Sequence, residues 1–278
     1  TLAVFPGDDE VLVSRSFGHP RSPDEASSGQ LTWTVGEPLE RWTLCFEGMA
    51  RRLHRTAPVA GFVADGLTEP LRFELYVSSA GPVWSLEHAL GLPPTGQSFA
   101  SLHLQHAVHV TGAVHTARGS FDVDNIAVRD HSVGPRDYAH LLGDNWATCR
   151  FPDGRTLSVL ALWQTEGTPL ISTGFVVENG DLVPVHDVGV TPLKSAIGDP
   201  RTLALSFDIP AGRQTVELAL QNSMVFSLLE PIGMPLGTDG SGLITVQGPA
   251  RYSWNGMHAL GWLERCNRLD RSPSEDRG

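Results

Sequence analysis

Alternation of apolar and polar residues is the feature that most limits how this chain can fold. The segment QLTWTV places Leu31, Trp33 and Val35 between threonines, and LRFELYV, RTLALSFDI and TVELAL repeat the scheme further along the chain. Side chains of a β-strand point alternately to opposite faces, so each of these segments has one apolar face and one polar face. The pattern predicts an antiparallel β protein.

Turn residues agree with this prediction. The dipeptides Asp153-Gly154 and Asn179-Gly180 each join two apolar runs, and both tolerate the positive φ values that tight hairpins require. The chain also contains 29 glycines and 20 prolines, and proline interrupts long helices. We therefore expect at most a short helix, near residues 39–54 or around residues 83–90.

Strands of this number and spacing close into sandwiches or barrels. The segment WQTEGTPLIS, residues 163–172, separates a first set of strands that ends in TLSVLALW from a second set that ends in HALGWLER. We therefore predict two β domains, residues 1–165 and residues 166–278.

The overall charge limits the partners of the chain. Its 278 residues carry a formal net charge of −11, which disfavours binding to nucleic-acid phosphates and to anionic membrane surfaces. No apolar run approaches the roughly 18 residues that span a bilayer, and the opening TLAVFPGDDEVLV lacks the basic region of a signal peptide. Cys45, Cys149 and Cys266 are far apart, as expected for thiols of a reducing compartment. We expect a cytoplasmic protein without nucleic-acid binding or membrane insertion; its oligomeric state stays open.

Four histidines lie in the segment SLHLQHAVHVTGAVH: His103, His106, His109 and His115. On a helix this spacing would suggest a metal site. The valines and threonine favour a strand instead, on which His103, Gln105 and His109 share one face and His106 lies on the other. No carboxylate accompanies the histidines at ligand spacing, so we predict no metal site. The polar face either lines a ligand cavity or meets solvent.

The stretch NIAVRDHSVGPRDYAH concentrates ionisable residues: Arg129, Asp130, His131, Arg136 and Asp137. If it is a solvated loop, each ion pair contributes under about 1 kcal/mol. If it is buried, each arginine must hold a carboxylate, because an unpaired buried charge is costly. A buried carboxyl group can be tuned as a base or kept protonated as an acid.

The region HVTGAVHTARGSFDVDNIAVRDHSVGPRDYAHLLGDNWATCRFPDGRTLSVLAL resembles the signature region of tandem lipocalin-like proteins. That superfamily includes the carotenoid 1,2-hydratases (hydroxyneurosporene synthases), and its relatives include decalin-forming cyclases. The resemblance lies in a G-x-x-x-R-D-H-S-W-G-x-R-D-like motif, followed by a tryptophan-led strand, a D-G turn and another strand. GMHALGWLERC is similar to the glycine-rich last strand of the family. The resemblance covers residues 100–165 well and the rest by general β character, and Val133 stands where the motif has tryptophan.

The resemblance implies an all-β fold of two lipocalin-like antiparallel β-barrel domains packed side by side, with a mostly apolar pocket between or within them. It also implies cofactor-free hydration, dehydration, cyclisation or cycloaddition of large hydrophobic molecules such as terpenoids or polyketides. The chain contains neither a G-x-G-x-x-G motif after a strand nor a Walker motif, so we expect no nucleotide cofactor. Val133 changes the shape expected for the pocket and leaves the substrate open.

We therefore expect a cofactor-independent lyase or isomerase that acts on a hydrophobic small molecule. Asp130 would be the acid/base, with His131 or His103 as its proton partner. Arg129 and Arg136 would orient the carboxylates. The remaining predicted substrate contacts are Asp137, Gln105, His109 and Trp146.

Three alternatives stay open. The chain could be a non-catalytic carrier of a lipophilic molecule, which needs only an apolar cavity. It could be a cyclase that works by shape alone, without a titrating group. The charged stretch could also be an ion network that only fixes the crossing between the barrels.

Overall fold

The computed structural model describes residues 2–7, 9–15, 25–28, 30–59, 67–91, 102–134, 141–165, 168–195, 197–227 and 243–268, and the statements below concern these parts of the chain. They form nineteen strands and one short helix. In chain order the elements are β1 (Leu2–Val4), β2 (Glu10–Ser14), β3 (Glu25–Ser28), β4 (Leu31–Glu37), β5 (Arg41–His54), β6 (Pro58–Val59), β7 (Leu67–Ser79), β8 (Trp84–Ser85), α1 (Leu86–Ala89), β9 (Leu102–Thr116), β10 (Gly119–Val133), β11 (Gly143–Arg150), β12 (Thr156–Thr165), β13 (Thr168–Glu178), β14 (Asp181–Val190), β15 (Thr202–Ile209), β16 (Gly212–Leu220), β17 (Met224–Ser227), β18 (Leu243–Trp254) and β19 (Met257–Arg268).

The first sheet is a curled half-barrel of nine strands in the order β1-β2-β5-β7-β9-β10. Strand β4 also pairs with β5, β3 pairs with β4, and β8 pairs with β9. One buried cluster brings together Leu12, Phe46, Phe73 and Val114, with Val123 of β10 packed against it. Because these residues come from opposite ends of the sheet, the apolar side is the inside of the curl. We call it the inner face, and the opposite side the outer face.

The second sheet closes into a barrel. Strands β11 to β16 follow one another as antiparallel neighbours, β11 also pairs with β19, and β19 pairs with β18. The pairing of β16 with β18, which sets Leu218 opposite Tyr252, completes a circuit of eight strands. The all-β prediction, with two barrel-like sheets side by side, is confirmed.

Apolar side chains fill the inside of this barrel. Alternate residues of its strands, among them Val159, Phe207, Tyr252 and Leu263, form one buried cluster. Such interiors are packed about as densely as organic crystals. Side chains therefore occupy the interior of the barrel.

The two sheets pack through the outside of the barrel. Leu160, Leu162 and Phe175 point away from the barrel core and are buried against Trp84 and Leu86 of the β8–α1 segment. The rings of Trp84 and Phe175 lie 5.5 Å apart. Since β8 pairs with β9, this contact brings the outer face of β9 next to the barrel.

Of the local predictions from turn residues and periodicity, the hairpin and one short helix agree with the structure and a second helix does not. Asn179 and Gly180 have φ values of 54° and 90° in the β13–β14 turn, as the hairpin prediction requires. The helix around residues 83–90 is a single turn, α1, whose Ser85 hydroxyl accepts a hydrogen bond from the His88 amide. The prediction of a helix near residues 39–54 is wrong. Arg41–His54 is a strand paired on both sides, with β2 and β4 at one edge and β7 at the other.

The chain passes from the first sheet to the second between β10 and β11. The predicted domain boundary at residues 165 and 166 lies in the connection between β12 and β13, which are neighbours in the barrel. Strands β11 and β12 therefore belong to the second sheet. Independent folding of two domains stays a prediction.

Candidate active site

The hairpin of β9 and β10 carries most of the predicted site residues. In its register Asp130 lies opposite Gln105, whereas Arg129 lies opposite His106. Cross-strand partners share a face and consecutive residues alternate. Asp130 and Gln105 therefore lie on the outer face, and Arg129 and His106 on the inner face.

Asp130 is the centre of a hydrogen-bond network on the outer face. Its Oδ2 accepts a hydrogen bond of 2.9 Å from Gln105 Nε2 and lies 3.3 Å from His103 Nε2. Its Oδ1 accepts a hydrogen bond of 3.2 Å from the Ser132 hydroxyl. His103 Nδ1 lies 2.7 Å from the same hydroxyl, so Ser132 bridges His103 and Asp130.

The network continues into the barrel. The Ser158 hydroxyl on β12 donates a hydrogen bond of 2.6 Å to Gln105 Oε1. The Trp146 indole N–H on β11 donates to Ser158 Oγ at 3.2 Å. A continuous path of hydrogen bonds thus connects Trp146 in the second sheet with Asp130 in the first.

The donors and acceptors of this path fit one protonation pattern. Gln105 Nε2 lies 2.9 Å from His103 Nε2, and its two hydrogens serve His103 and Asp130. With His103 neutral and protonated on Nδ1, the imidazole donates to Ser132, which in turn donates to Asp130. The path ends on Asp130, and an ionised carboxylate only accepts hydrogen bonds.

Exposure separates Asp130 from the rest of the network. The Asp130 side chain is 30% exposed, whereas that of His103 is 4% exposed. Gln105 and Ser158 are buried. The carboxylate is therefore the end of the network that a bound molecule can reach.

A cavity of about 460 Å³ lies beside this network, between β10 and the outside of β11 and β19. Its volume is in the range of small-molecule sites. Val128, on the outer face two residues before Asp130, lines the cavity, and Trp146 lines it from the barrel side. The apolar lining residues are Ile126, Ala127, Val128, Trp146, Leu260 and Trp262.

On the inner face, Arg129 and His106 contact Trp42. The guanidinium carbon of Arg129 lies 4.9 Å from the centre of the Trp42 ring, and the His106 and Trp42 ring centres are 5.7 Å apart. Burial lowers the pKa of His106, and the charge of Arg129 lowers it further, while the Leu39 backbone opposes the shift. Burial also lowers the pKa of Arg129, and Asp130 opposes that shift.

The structure separates some residues that the sequence grouped. It places His103, Gln105, Asp130 and Trp146 in one network. His131 lies opposite Leu104, next in the chain to Asp130 and therefore on the opposite face, so His103 is the one of the two histidines whose ring lies near the Asp130 carboxylate.

Two further residues that were predicted to contact the substrate, Arg129 and His109, lie outside the Asp130 network. Arg129 makes no hydrogen bond to Asp130, because the two side chains leave the strand in opposite directions. His109 instead lies 2.6 Å from Asp124, and both side chains are exposed. Arg136 and Asp137 lie outside the described residues. Val133, which replaces the tryptophan of the motif, is 50% exposed at the end of β10.

Sequence reasoning missed two serines of the network. Ser132 follows Asp130 by two residues, so strand alternation alone would have placed its hydroxyl beside the carboxylate. Ser158 gave no comparable signal, since it is one polar residue in an apolar strand that is distant in the chain from Gln105. Sequence reasoning also assigned no role to Trp42.

Metal and membrane features can be assessed for the described parts of the chain. There, no group of three or more His, Cys, Asp or Glu side chains converges as metal ligands would. The same residues contain no helix that is long and apolar enough to cross a membrane.

A family model for a domain of unknown function, DUF7064, matches residues 1–268. The chain belongs to the DUF7064 family. No curated protein matches this DUF7064 chain.

Solved structures resemble this DUF7064 protein at low sequence identity. One is a Nitrosomonas europaea protein described as a candidate AttH, which is 12% identical over 88% of this chain and 70% of that chain, with a TM-score of 0.53. Another is kievitone hydratase from Nectria haematococca, which is 8% identical over 85% of this chain and 82% of that chain, with a TM-score of 0.43. The first similarity shows a shared fold.

Proposed function

We propose that this protein is a lyase that adds water to, or removes water from, a hydrophobic small molecule by acid/base chemistry at Asp130. The observation that carries the proposal is the partly exposed Asp130 carboxylate, held by a buried network next to a mostly apolar cavity that Val128 and Trp146 line. A terpenoid- or polyketide-like molecule fits the apolar lining and the volume of the cavity.

A single carboxylate is enough for the reaction. In the dehydration direction, Asp130 takes the proton from the carbon beside the C–OH carbon, and the C–O bond breaks. The same carboxyl group returns that proton to the departing hydroxide, so that an alkene and water form. Hydration is the reverse, and neither direction consumes a cofactor.

The other members of the network act as positioning residues. Gln105 and Ser132 each hold one oxygen of Asp130, so the orientation of the carboxylate is fixed. His103, whose Nε2 lies 3.3 Å from Asp130 Oδ2 and whose Nδ1 is bridged to Asp130 by Ser132, is the group we assign as its proton partner. A fixed geometry lowers the entropic part of the barrier.

The proposal is tested by incubating the purified protein in H₂¹⁸O with a panel of hydrophobic alkenes and alcohols, with mass spectrometry as readout. We expect at least one compound to gain or lose water, with ¹⁸O incorporated on hydration. Asp130→Asn should lower turnover by about a hundredfold or more, since general acid/base catalysis contributes about 10²–10⁴-fold.

Asp122→Asn is the matched control. Asp122 lies on the same face of β10 as Asp130 but is exposed at the far end of the strand. It should keep wild-type turnover. Full turnover in Asp130→Asn, or no conversion of any compound by the wild-type protein, would contradict the proposal.

A non-catalytic carrier is the second candidate, and one observation favours it. The Gln105–Ser158 hydrogen bond joins the two sheets, so the network has a structural role that needs no chemistry. A compound that binds at the cavity and is recovered unchanged would identify a carrier.

A further inference from the structure

The inner face of the first sheet holds polar atoms that lack partners. His106 is 0% exposed, and within the described residues neither of its ring nitrogens has a hydrogen-bond partner in good geometry; the Leu39 backbone lies near enough only to oppose the lowering of its pKa. The buried Nε and Nη1 atoms of Arg129 likewise have no partner among those residues. These two side chains lie directly opposite each other across β9 and β10.

Leaving such groups unpaired is costly. A buried donor without a partner costs about 1–3 kcal/mol, and more if it is charged. The Asp130 carboxylate accepts no hydrogen bond from Arg129, because it lies on the outer face and accepts from Gln105 and Ser132. Trp42 provides a ring face for the guanidinium but no acceptor oxygen.

We propose that Arg129 and His106 bind the carboxylate group of a hydrophobic acid on the inner face of the first sheet. The Arg129 guanidinium supplies the positive charge and N–H donors, and a His106 ring N–H supplies another donor. A carboxylate accepts several such hydrogen bonds, and those to charged donors are roughly twice as strong as neutral ones.

The surroundings match the rest of such a ligand. The apolar residues on this face are buried Trp42, Val77 and Val108, with Trp33, Leu44 and Val110 packed against them. An acid with an aliphatic or polycyclic body would place its carboxylate between Arg129 and His106 and its apolar part along these side chains.

This site is distinct from the proposed lyase site. Arg129 and Asp130 are neighbours in the chain but lie on opposite faces of β10. Acid binding on the inner face therefore goes beyond the proposed activity, and the two are separable by mutation.

Calorimetric titration of the full chain with oleic acid and abietic acid, and with their methyl esters, tests the inference. We expect at least one of the acids to bind, and its methyl ester to bind about tenfold more weakly or worse, because the ester lacks the charge that Arg129 pairs with. Arg129→Met and His106→Phe should each weaken binding of the acid by about tenfold or more. Asp122→Asn, an exposed position on β10 away from Arg129, should leave it unchanged.

Arg72→Met is the control for removal of an arginine, since Arg72 is exposed on β7. Melting temperatures distinguish a ligand site from a structural role. Without ligand, Arg129→Met should melt at or above the wild-type temperature, because it removes two buried N–H groups that lack partners within the described residues. A large decrease would assign Arg129 to folding and overturn the inference. Equal affinity for acid and ester, or no binding of either acid, would overturn it as well.

Discussion

Asp130 accepts hydrogen bonds at both carboxylate oxygens, while the buried Nε and Nη1 atoms of its neighbour Arg129 find no acceptor in the described part of the chain. The two residues are neighbours in the chain, but consecutive side chains of a strand point to opposite faces of the sheet. The charged stretch therefore contributes side chains to two different environments. Asp130 faces the barrel, and Arg129 faces the curl of the first sheet.

At the residue scale, His106 predicts how stability depends on pH. Burial, followed by the charge of Arg129, lowers its pKa below the ordinary 6.5, so the unfolded chain takes up a proton at a higher pH than the folded chain. Unfolding then binds a proton, and stability decreases as the pH falls from about 6.5 through the lowered pKa.

We expect the melting temperature to fall between about pH 7 and pH 5 in the wild-type protein, and to fall less in His106→Gln. His258→Gln, which changes an exposed histidine of β19, should follow the wild-type curve. Parallel curves for wild type and His106→Gln, measured by differential scanning calorimetry, would contradict the pKa shift of His106.

At the scale of elements, β11 and β19 approach closely where the cavity is formed. A Cβ atom on Gly261 would lie 2.2 Å from the Thr148 carbonyl oxygen and 2.4 Å from the Cys149 Cβ. Neither atom is the end of a flexible side chain. The last strand needs glycine here because β11 occupies the space of a side chain.

We therefore expect Gly261→Ala to lower the free energy of unfolding by about 1–3 kcal/mol, as overpacking does. Gly7→Ala, where a Cβ meets nothing within 4 Å, should change it by less than about 0.5 kcal/mol. Denaturant titration measures both values. An unchanged free energy of unfolding in Gly261→Ala would contradict this prediction, because it would show that β11 and β19 can move apart without loss of stability.

Strands and turns could be predicted from the sequence where a local pattern of a few residues determines them. Alternation and the Asn179-Gly180 turn act over a few residues, so they predicted strands and a hairpin correctly. Residues 39–54 failed because the segment RWTLCFEGMARRLH alternates imperfectly, and its strand is fixed by pairing with β2, β4 and β7. Such partners come from distant parts of the chain.

At the scale of the whole molecule, the same limit explains the candidate site. Alternation on β9 predicted that His103 and Gln105 share a face, and the motif pointed to Asp130. The sequence does not show that Ser158 faces Gln105, since that contact depends on how the two sheets pack. Nor did it show that β11 and β12 pair within the second sheet, because alternation identifies strands but not their neighbours.

The hydrogen bond between the sheets gives a prediction at this scale. Ser158→Ala leaves Gln105 Oε1 and the Trp146 indole N–H without a partner in a buried place. We expect the free energy of unfolding to fall by about 1–3 kcal/mol. Ser253→Ala on β18 should stay within about 0.5 kcal/mol of wild type. Equal denaturation midpoints for the two variants would show that this hydrogen bond contributes nothing to the packing of the sheets.

The central claim is that the Asp130 carboxylate meets the reacting part of a hydrophobic molecule. A crystal structure of Asp130→Asn with the unconverted substrate bound tests it most directly. We predict that the carbon to be protonated or deprotonated lies within about 3.5 Å of the side chain at position 130, with the apolar body of the molecule against Trp146. A substrate seated on the inner face beside Trp42, with no contact to position 130, would contradict the claim.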